Sequence, residues 1–568
     1  MARTVSIGTQ RFEILRQNNN FYVDKTYFIK ELWENEDPVT LITRPRRFGK
    51  TLNMDMLNCF FSNKFADRSD LFEGLSIWRE EKYRQLQGTY PVINLSFADV
   101  KQTNLKDAKH YIKSMLGDIY KEHRYLLEDN FLTEGEKEQF HSVGRAMDDD
   151  IAHRSLKTLC EYLYRYYGRN TIILLDEYDT PMQEAYVGGY WDEFTGFIRA
   201  LFNAAFKTNS YLQKAVLTGI TRVSKESIFS DLNNLMVITT MSRQYSTCFG
   251  FTEEEVFDAL EEQGLSEEKA GVKAWYDGFT FGNQKDIYNP WSVTSFLKNQ
   301  EYGTYWADTR SNKLINTIVQ KSSADVKKAM EHLIKGEVIE TVIEEQMVFD
   351  QLDYDEEAIF SLMLASGYLK VDHMVRRDEN GEPLGRPVYF LKLTNKEVSL
   401  MFSKLFSGWF AVAKSSYNGF VRALLAGNLK EMNRYMQEVV SATISSFDTG
   451  KKPSKRKQPE RFYHGLVLGL LVELRGQYDL ISNGESGFGR YDIMLIPLKP
   501  QLKGIIIEFK VREEDEGEKD LSATVLEALK QIEEKQYDIR LLERGVRPEE
   551  IVHYGFAFEG KKVRIGAR

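Results

Sequence analysis

The sequence predicts a multidomain α/β protein, and three features of the chain lead to that fold class. The chain has 568 residues, which is too many for a single hydrophobic core. Strand-like apolar runs alternate with helical segments in the first part of the chain, which is typical of a parallel sheet with helices on both faces. These runs lie at about 39–43, 91–97, 171–176 and 214–219. A second strand-like pair, at 490–496 and 504–511, follows a stretch of linker composition and indicates a separate α/β domain.

Composition narrows the class of protein. Hydrophobic residues make up 42% of the chain and charged residues 28%, and no apolar run reaches the length of a membrane span. The three cysteines, Cys59, Cys160 and Cys248, form no C-x-x-C pair, which favours buried thiols in a reducing cytoplasm over structural zinc. The net charge of −9 argues against a surface that wraps DNA broadly, although a local basic patch remains compatible with it.

Residues 43–51 have the order of a phosphate-binding loop. They read Thr-Arg-Pro-Arg-Arg-Phe-Gly-Lys-Thr, and they stand between an apolar strand-like run and a helix-like run. Backbone N–H groups of such a loop face phosphates, Lys50 would reach the β- and γ-phosphates of ATP, and the Thr51 hydroxyl would bind Mg²⁺. The usual G-x-x-x-x-G-K-[ST] pattern has glycine where this chain has Arg44, so a chance Gly-Lys-Thr at a helix start is the alternative. The predicted nucleotide-binding residues of the loop are Arg44, Pro45, Arg46, Arg47, Phe48, Gly49, Lys50 and Thr51.

Polar residues at the ends of two later strands predict the rest of an ATPase site. The run Ile172–Leu175 ends in Asp176, which would hold Mg²⁺ through water, and Glu177, which would polarise the attacking water. Thr218, at the end of another strand, would sense the γ-phosphate, and Arg222 would stabilise transferred charge. The alternative for each is an ordinary turn at a strand end.

The composition changes after about residue 247. Thr252 with the glutamates that follow it predicts a capping box, and Asn289-Pro290 predicts another helix start. The aromatic stretch 275–282 is typical of a packed helix–hairpin corner. We therefore expect small helical subdomains over 250–450, including a lid over the nucleotide site. Residues 105–168 predict a helical insertion between two strands of the sheet.

A basic linker precedes the last domain. Residues 448–461 combine Pro, Gly and Ser with clustered positive charge, which indicates a solvated linker or a patch that steers phosphates. The predicted domains are 1–249, 250–450, a linker at 451–461, and 462–568.

Strand alternation predicts a second site in this last domain. The apolar helix at 460–475 is followed by two strands, and residues i and i+2 of a strand share a face. Glu508 and Lys510 therefore lie on the side of Ile506, and Asp492 lies on the side of Met494. A charged pair on a buried strand is expensive unless it is matched or binds a metal.

An Asp followed by Glu-x-Lys on the next strand is typical of metal-dependent phosphodiester cleavage. Asp492 and Glu508 would hold Mg²⁺, or Mn²⁺, and Lys510 would orient or activate the attacking water. A buried Glu–Lys ion pair is the alternative. A helix at 522–536 completes an α-β-β-β-α-β outline, and its Gln531 is a further polar candidate.

At these residues the chain resembles two known families. Its first half is similar to the divergent AAA-ATPase-like family of P-loop proteins, and its last 110 or so residues resemble the PD-(D/E)XK nuclease domain often attached to them. The matching segments are 22–26, 44–51, 174–179 and 217–219, then 462–465, 482–487, 489–492 and 507–510. The Arg-Pro-Arg-Arg-Phe-Gly-Lys loop is typical of the first family, which accounts for Arg44.

The resemblance implies a P-loop NTPase sheet, a helical and winged-helix-like middle region, and a restriction-endonuclease-like α/β domain. It also implies a further metal-binding glutamate on the first nuclease helix. Glu460 is favoured for that role over Glu473, although Glu460 would also suit a helix start and Glu473 would also pair with Arg475.

Two hypotheses for the function follow. The first is an ATP-gated DNA endonuclease of the cytoplasm, acting in defence or mobile-element control, with ATP and Mg²⁺ as cofactors and no membrane partner. The second is an ATP-switched signalling or scaffold protein whose nuclease-like domain only binds nucleic acid or a partner. The set Asp492, Glu508 and Lys510 favours the first hypothesis, and the acidic net charge favours the second. Formation of a homo-oligomer is left open.

Overall fold

A computed structural model of the chain defines its fold in two compact units, of which the first comprises Met1–Ile318 and Gly336–Ser399 and the second Val319–Lys335 and Leu400–Arg568. The described residues are 2–128, 130–221, 228–229, 232–306, 315, 318–319, 322, 324–344, 355–377, 383–409, 417–443, 463–464, 467–468, 470–471, 474, 477–482, 484–487, 489–499, 502–512, 519–560 and 562–568. The predicted linker at 451–461 and the residues Arg222, Glu460, Glu473 and Arg475 lie outside this set. The predicted domain boundaries stay a prediction.

The elements run along the chain as follows. The described α-helices are α1 (Phe12–Gln17), α2 (Tyr27–Glu34), α3 (Lys50–Phe61), α4 (Glu81–Arg84), α5 (Leu105–Glu122), α6 (Glu134–Ser142), α7 (Asp149–Tyr167), α8 (Thr180–Gly188), α9 (Trp191–Phe202), α10 (Glu253–Glu262), α11 (Lys269–Tyr276), α12 (Pro290–Asn299), α13 (Ala324–Ile334), α14 (Glu356–Ala365), α15 (Lys396–Trp409), α16 (Tyr417–Leu425), α17 (Leu429–Thr443), α18 (Leu521–Glu534) and α19 (Ile539–Glu543). The described strands are β1 (Val39–Thr43), β2 (Val92–Ser96), β3 (Thr171–Asp176), β4 (Leu212–Gly219), β5 (Leu235–Ile238), β6 (Phe251–Thr252), β7 (Phe279–Phe281), β8 (Gln284–Tyr288), β9 (Ile339–Val342), β10 (Leu369–Arg377), β11 (Pro383–Leu393), β12 (Tyr478–Ser482), β13 (Glu485–Ser486), β14 (Gly489–Arg490), β15 (Ile493–Pro497), β16 (Gly504–Val511), β17 (Ile551–Glu559) and β18 (Lys562–Ala567).

A five-stranded parallel sheet forms the centre of the first unit, with strand order β2-β3-β4-β1-β5. Every residue of β1 and β3 is buried, as expected for interior parallel strands. The register places Ile42 opposite Thr218 and Ser96 opposite Asp176, so the polar strand ends meet at one edge. The predicted parallel sheet is confirmed. Strand β5 was not foreseen, because four residues are too few to give a periodic signal.

The predicted helical insertion between β2 and β3 is present as α5, α6 and α7. Helix α7 ends at Gly168, whose φ of 68° places it in the left-handed region that glycine adopts without a Cβ penalty. The buried residues of α7 recur three and four positions apart, which gives the helix one apolar face.

The middle of the chain contains more strand than its sequence suggested. Besides helices it forms two three-stranded sheets, β6-β8-β7 and β10-β11-β9. The hairpin of β10 and β11 was missed because β10 carries many charged residues, and the short apolar run 388–391 of β11 cannot be told from a buried helix segment by its pattern alone. Its position directly after α14 fits the winged-helix-like part of the expectation.

Local signals in this middle region were more reliable. Thr252 and Glu255 form the predicted capping box of α10, and Asn289 caps α12 directly before Pro290. The aromatic stretch forms the predicted corner between α11 and the hairpin of β7 and β8, with Tyr276 buried inside it.

The second unit contains a mixed sheet of order β12-β15-β16-β17-β18, in which β16 and β17 are parallel and the other pairs antiparallel. The predicted α-β-β-β-α-β outline is met, with the two-residue strands β13 and β14, a short helix α19 and a final strand β18 in addition. Described residues of the predicted apolar helix, from Tyr463 to Leu474, are buried in the core on one face of this sheet. Among the residues that the structure describes, no helix is long and apolar enough to cross a membrane.

Candidate functional site

The loop between β1 and α3 has the backbone of a phosphate-binding loop. Gly49 has a φ of 81° and Arg47 a φ of 64°, and α3 begins at Lys50. Glycine reaches this left-handed conformation freely, whereas for Arg47 it is uncommon and costs about 1 kcal/mol or more. Such strain is found where a loop presents successive N–H groups in one direction. The strained residues lie where phosphates are expected, just before the start of α3.

Lys50 is buried at this turn, with only 6% of its surface exposed. Its ammonium donates to the carbonyls of Arg44, at 3.1 Å, and Pro45, at 2.9 Å. Burial lowers the pKa of Lys50, and the nearby carboxylates of Glu177 and Asp176 oppose that shift. The ammonium is therefore held inside the loop beside the strand-end acids.

Asp176 joins the loop helix to the neighbouring strand. Its carboxylate accepts a 2.6 Å hydrogen bond from the Thr51 hydroxyl and a second, short one from the Thr218 hydroxyl. Burial raises the pKa of Asp176, and the two hydroxyl donors pull it back down. The structure thus brings together Thr51, Asp176 and Thr218, which come from three distant parts of the sequence.

Glu177 follows directly in a strained turn, with a φ of 52°. Its side chain accepts from the Thr180 hydroxyl at 3.1 Å, and its charge raises the pKa of Lys50, which places it beside the loop. We call Lys50, Thr51, Asp176, Glu177 and Thr218 the loop site.

The side chain of Arg44 points into the core of the first unit. Its guanidinium is fully buried and donates to main-chain carbonyls of Thr43 and of the segment 239–245, while it packs over the ring of Phe281 at 4.7 Å. Burial lowers the pKa of Arg44 to about 10. The side chain of Arg44 therefore anchors the loop to the core. Its carbonyl contacts the loop site, where it accepts from Lys50.

Other side chains of the loop pack against aromatic rings, with Arg46 as the exception. Phe48 is buried against Phe279 and Phe281, and Arg47 lies over the Trp291 ring at 4.2 Å. Arg46 instead donates to the Gln183 side chain at 3.2 Å, close to the strand-end acids. Of the three arginines in the motif, Arg46 is the one whose side chain lies at the loop site.

No pattern in the sequence indicates the groups that support the loop through its Arg46 carbonyl and its neighbours. The carbonyl of Arg46 accepts from the Trp306 indole at 3.0 Å and from the Asn289 amide at 3.3 Å. The buried Glu397 accepts from the Ser292 hydroxyl at 2.8 Å and from the Trp306 backbone N–H at 2.6 Å. These residues are too far from the motif in sequence for any spacing rule to connect them.

The second candidate site lies on one face of the sheet in the second unit. Ile506, Met494 and Ala557 pack on that face, whereas Ile505, Ile507 and Phe509 belong to the core on the opposite face. Because side chains alternate along β16, Glu508 and Lys510 lie on the Ile506 side. Ile493 pairs with Ile507, so Asp492, one residue before β15, is next to Glu508.

Asp492 and Glu508 are both fixed by hydrogen bonds. Asp492 accepts from the backbone N–H of Phe509 at 2.8 Å, and Glu508, 3% exposed, accepts a short bond from the Gln531 amide. Gln531 reaches Glu508 because α18 packs closely over β17, where a Cβ on Gly555 would lie 2.8 Å from the Val525 carbonyl. We call Asp492, Glu508, Lys510 and Gln531 the strand site.

Both sites present oxygen donors of the kind that Mg²⁺ prefers. The loop site offers the Thr51 hydroxyl and the Asp176 carboxylate, and the strand site offers the carboxylates of Asp492 and Glu508. Within the described part of the chain, no group of three His, Cys, Asp or Glu residues is close enough to hold a metal ion. A third carboxylate from Glu460 or Glu473 stays a prediction, because both lie outside that part.

Comparisons with known proteins match two separate segments of the chain. Residues 6–229 match the model of the predicted AAA-ATPase family, and residues 458–568 match that of the PD-(D/E)XK nuclease superfamily. The chain is also 27% identical over 401 residues to a protein of Azotobacter chroococcum mcd 1 described as an uncharacterized protein in the vnfD 5' region. That similarity covers 70% of this chain and 68% of the relative.

The two family matches coincide with the two main sheets of the fold. The residues that match the AAA-ATPase-like model include four of the five strands of the parallel sheet, and those that match the PD-(D/E)XK nuclease model include all five strands of the mixed sheet. The loop site lies inside the first match and the strand site inside the second.

Proposed function

We propose that this protein hydrolyses ATP and cuts DNA with the help of divalent metal, and that ATP controls the cutting. The observation that carries the proposal is the presence of both sites in one chain, each with its charged groups already gathered. Lys50 lies beside Asp176 and Glu177, and Asp492 lies beside Glu508 on the face that also carries Lys510.

In the ATPase half, the residues of the loop site have separate tasks. Backbone N–H groups at the start of α3 receive the phosphates, and Lys50 moves from the loop carbonyls to the β- and γ-phosphates. Thr51 and Asp176 would hold Mg²⁺, which supplies charge neutralisation when bound. Glu177 orients and polarises the attacking water, and Thr218 keeps Asp176 in place through its hydroxyl.

In the nuclease half, the residues of the strand site also have separate tasks. Asp492 and Glu508 would hold Mg²⁺ or Mn²⁺, and the Phe509 N–H and the Gln531 amide fix the orientation of the two carboxylates. Lys510 lies two residues further along the same face, where it would orient water and offset charge on the cleaved phosphate. Glu460 is the proposed third carboxylate.

Control by ATP is supported by the way in which the chain passes between its units. Helix α15 starts in the first unit, where Glu397 in its first turn is bound to Trp306, and it continues into the second unit from Leu400. The Trp306 indole is bonded to the carbonyl of Arg46 in the loop. A movement of the loop on binding nucleotide would therefore act on the first turn of that helix.

The cell compartment and biological setting belong to the same proposal. The three cysteines are buried and unpaired by disulfides, as suits a reducing cytoplasm. A role in defence or in control of mobile elements would fit a nuclease that stays inactive until a nucleotide signal permits cutting.

The test is a nicking assay on plasmid DNA with Mg²⁺ or Mn²⁺, with and without ATP, beside an assay of ATP turnover. We expect cleavage that depends on metal and responds to ATP. Glu177→Gln should bind ATP and fail to hydrolyse it, because only the activation of water is removed. Nucleotide binding without cleavage of any DNA form would favour an ATP-switched scaffold or signalling protein, and full turnover in Glu177→Gln would remove that residue from the mechanism.

A further inference from the structure

A chain of hydrogen bonds runs from the end of β4 to the phosphate-binding loop through Asp179. This carboxylate is 1% exposed, and one of its oxygens accepts from the backbone N–H groups of Ile220 and Thr221, each at 2.9 Å. The Thr221 hydroxyl adds a third bond at 2.8 Å. A Cβ on Gly219 would lie 2.7 Å from the other carboxylate oxygen, so glycine is what allows this close approach. Asp179 is therefore rigidly fixed to the turn after β4.

Gln183 extends the chain toward the loop. It is one turn further along α8, and its amide nitrogen donates to Asp179 at 3.2 Å. A carboxylate can only accept, so this contact fixes the orientation of the amide and turns its oxygen toward Arg46, which donates at 3.2 Å. The polar side chain of Gln183 is 9% exposed, so water competes little for these bonds.

Arg46 is held at its other end as well, since its carbonyl accepts from the Trp306 indole and the Asn289 amide. Arg46 is thus held by both its side chain and its carbonyl within the loop that precedes α3. The backbone N–H groups of such a loop and of the helix start favour an anion, and a phosphate is the anion that this geometry receives.

The γ-phosphate is the one that these contacts favour. The backbone at the start of α3 receives the inner phosphates, whereas Glu177 marks the side from which water attacks the γ-phosphate. Asp179 and Glu177 belong to the same strand-end turn, and Arg46 is tied to that turn through Gln183. We propose that Arg46 binds the γ-phosphate and distinguishes ATP from ADP, with Asp179 and Gln183 as the residues that position it. This inference rests on the proposal that the loop binds nucleotide.

The test compares affinities of the full-length chain for ADP and for the non-hydrolysable analogue AMP-PNP, both with Mg²⁺. Arg46→Met should lower AMP-PNP affinity about tenfold or more and change ADP affinity little, as expected for loss of one charge-assisted hydrogen bond. Gln183→Met should lose part of the same preference, because Arg46 keeps its charge but not its position.

Gln87→Met is the matched control. Gln87 is also 9% exposed and donates to the Phe65 carbonyl at 2.7 Å, away from the loop. Gln87→Met should leave the ratio of the affinities for AMP-PNP and ADP unchanged, even where it lowers thermal stability. An unchanged ratio in Arg46→Met, or an equal fall for both nucleotides, would overturn the inference while leaving nucleotide binding intact. Failure of the unmodified protein to bind either nucleotide would instead overturn the proposed function. If Gln183→Met does not fold, Arg46→Met alone decides the question.

Discussion

The loop site and the strand site reach similar chemistry by different routes. Lys50 and Thr51 are neighbours at one helix start, so their relative placement depends only on the local backbone. Asp492 and Glu508 meet only through the register of β15 against β16, since Ile493 pairs with Ile507. A change of one residue in that register would separate the two carboxylates, whereas the loop has no register to lose.

The two sites also differ in how their carboxylates are held. Asp176 lies between two hydroxyl donors from separate elements, Thr51 and Thr218. Asp492 and Glu508 are held by one backbone N–H and one side-chain amide. The comparison teaches that the loop site is supported by the sheet edge, while the strand site depends on α18 remaining packed over β17.

The largest expected effect is on cleavage. Asp492→Asn or Glu508→Gln should reduce metal-dependent nicking about 10³-fold or more, because each removes a charged metal ligand. ATP turnover should stay within about twofold of the unmodified protein if the sites are chemically separate. Asp520→Asn is the matched control, since Asp520 caps α18 through its oxygen and asparagine caps equally well. Nicking at the original rate in both site variants would exclude the strand site.

The next effect is on nucleotide binding. Lys50→Ala should weaken ATP binding and turnover about 10²-fold or more, because it removes the ammonium that is held among the loop carbonyls. Lys214→Ala is the control, since Lys214 is equally buried, at 6% exposed, and donates to the Asp37 carbonyl instead. Equal losses in both variants would mean that stability and not phosphate contact is being measured.

A contrast between local patterns and tertiary contacts explains how much of the two sites could be predicted from the sequence. The loop motif gave Lys50 and Thr51 directly, and strand alternation gave the shared face of Glu508 and Lys510, because both rules act over a few residues. Arg44 stays a predicted nucleotide-binding residue through its backbone, whereas the burial of its side chain could not be read from its position in the motif. Trp306 and Glu397 could not be found, since their contacts with the loop region depend on tertiary packing.

A third effect concerns stability. Arg44→Met should lower the free energy of unfolding of the first unit by about 3 kcal/mol or more, because several buried carbonyls lose their donor. Chemical denaturation followed by intrinsic fluorescence measures it. An Arg44→Met protein as stable as the original, but unable to bind ATP, would show that the guanidinium contacts nucleotide after all.

The smallest effect is a dependence on pH. Burial and the neighbouring Asp286 raise the pKa of Asp277 to about 6, against about 3.9 in the unfolded chain. Between these values the folded state holds a proton that the unfolded state has lost, so stability falls as pH rises from about 4 to 6. Asp277→Asn should remove this fall and gain stability relative to the original at pH 7.5. Urea midpoints at pH 4.5 and 7.5 measure it, with the surface variant Asp107→Asn as control.

Control of DNA cutting by ATP is the central claim, and one measurement tests it most directly. Plasmid nicking and DNA affinity are recorded with Mg²⁺ in the presence of ATP, ADP or no nucleotide, for the unmodified protein and for Lys50→Ala. We expect ATP to change both quantities in the unmodified protein, ADP to act differently, and Lys50→Ala to lose the response while keeping Asp492 and Glu508 intact. Identical DNA affinities and nicking rates in all three conditions would contradict the account and leave two independent activities on one chain.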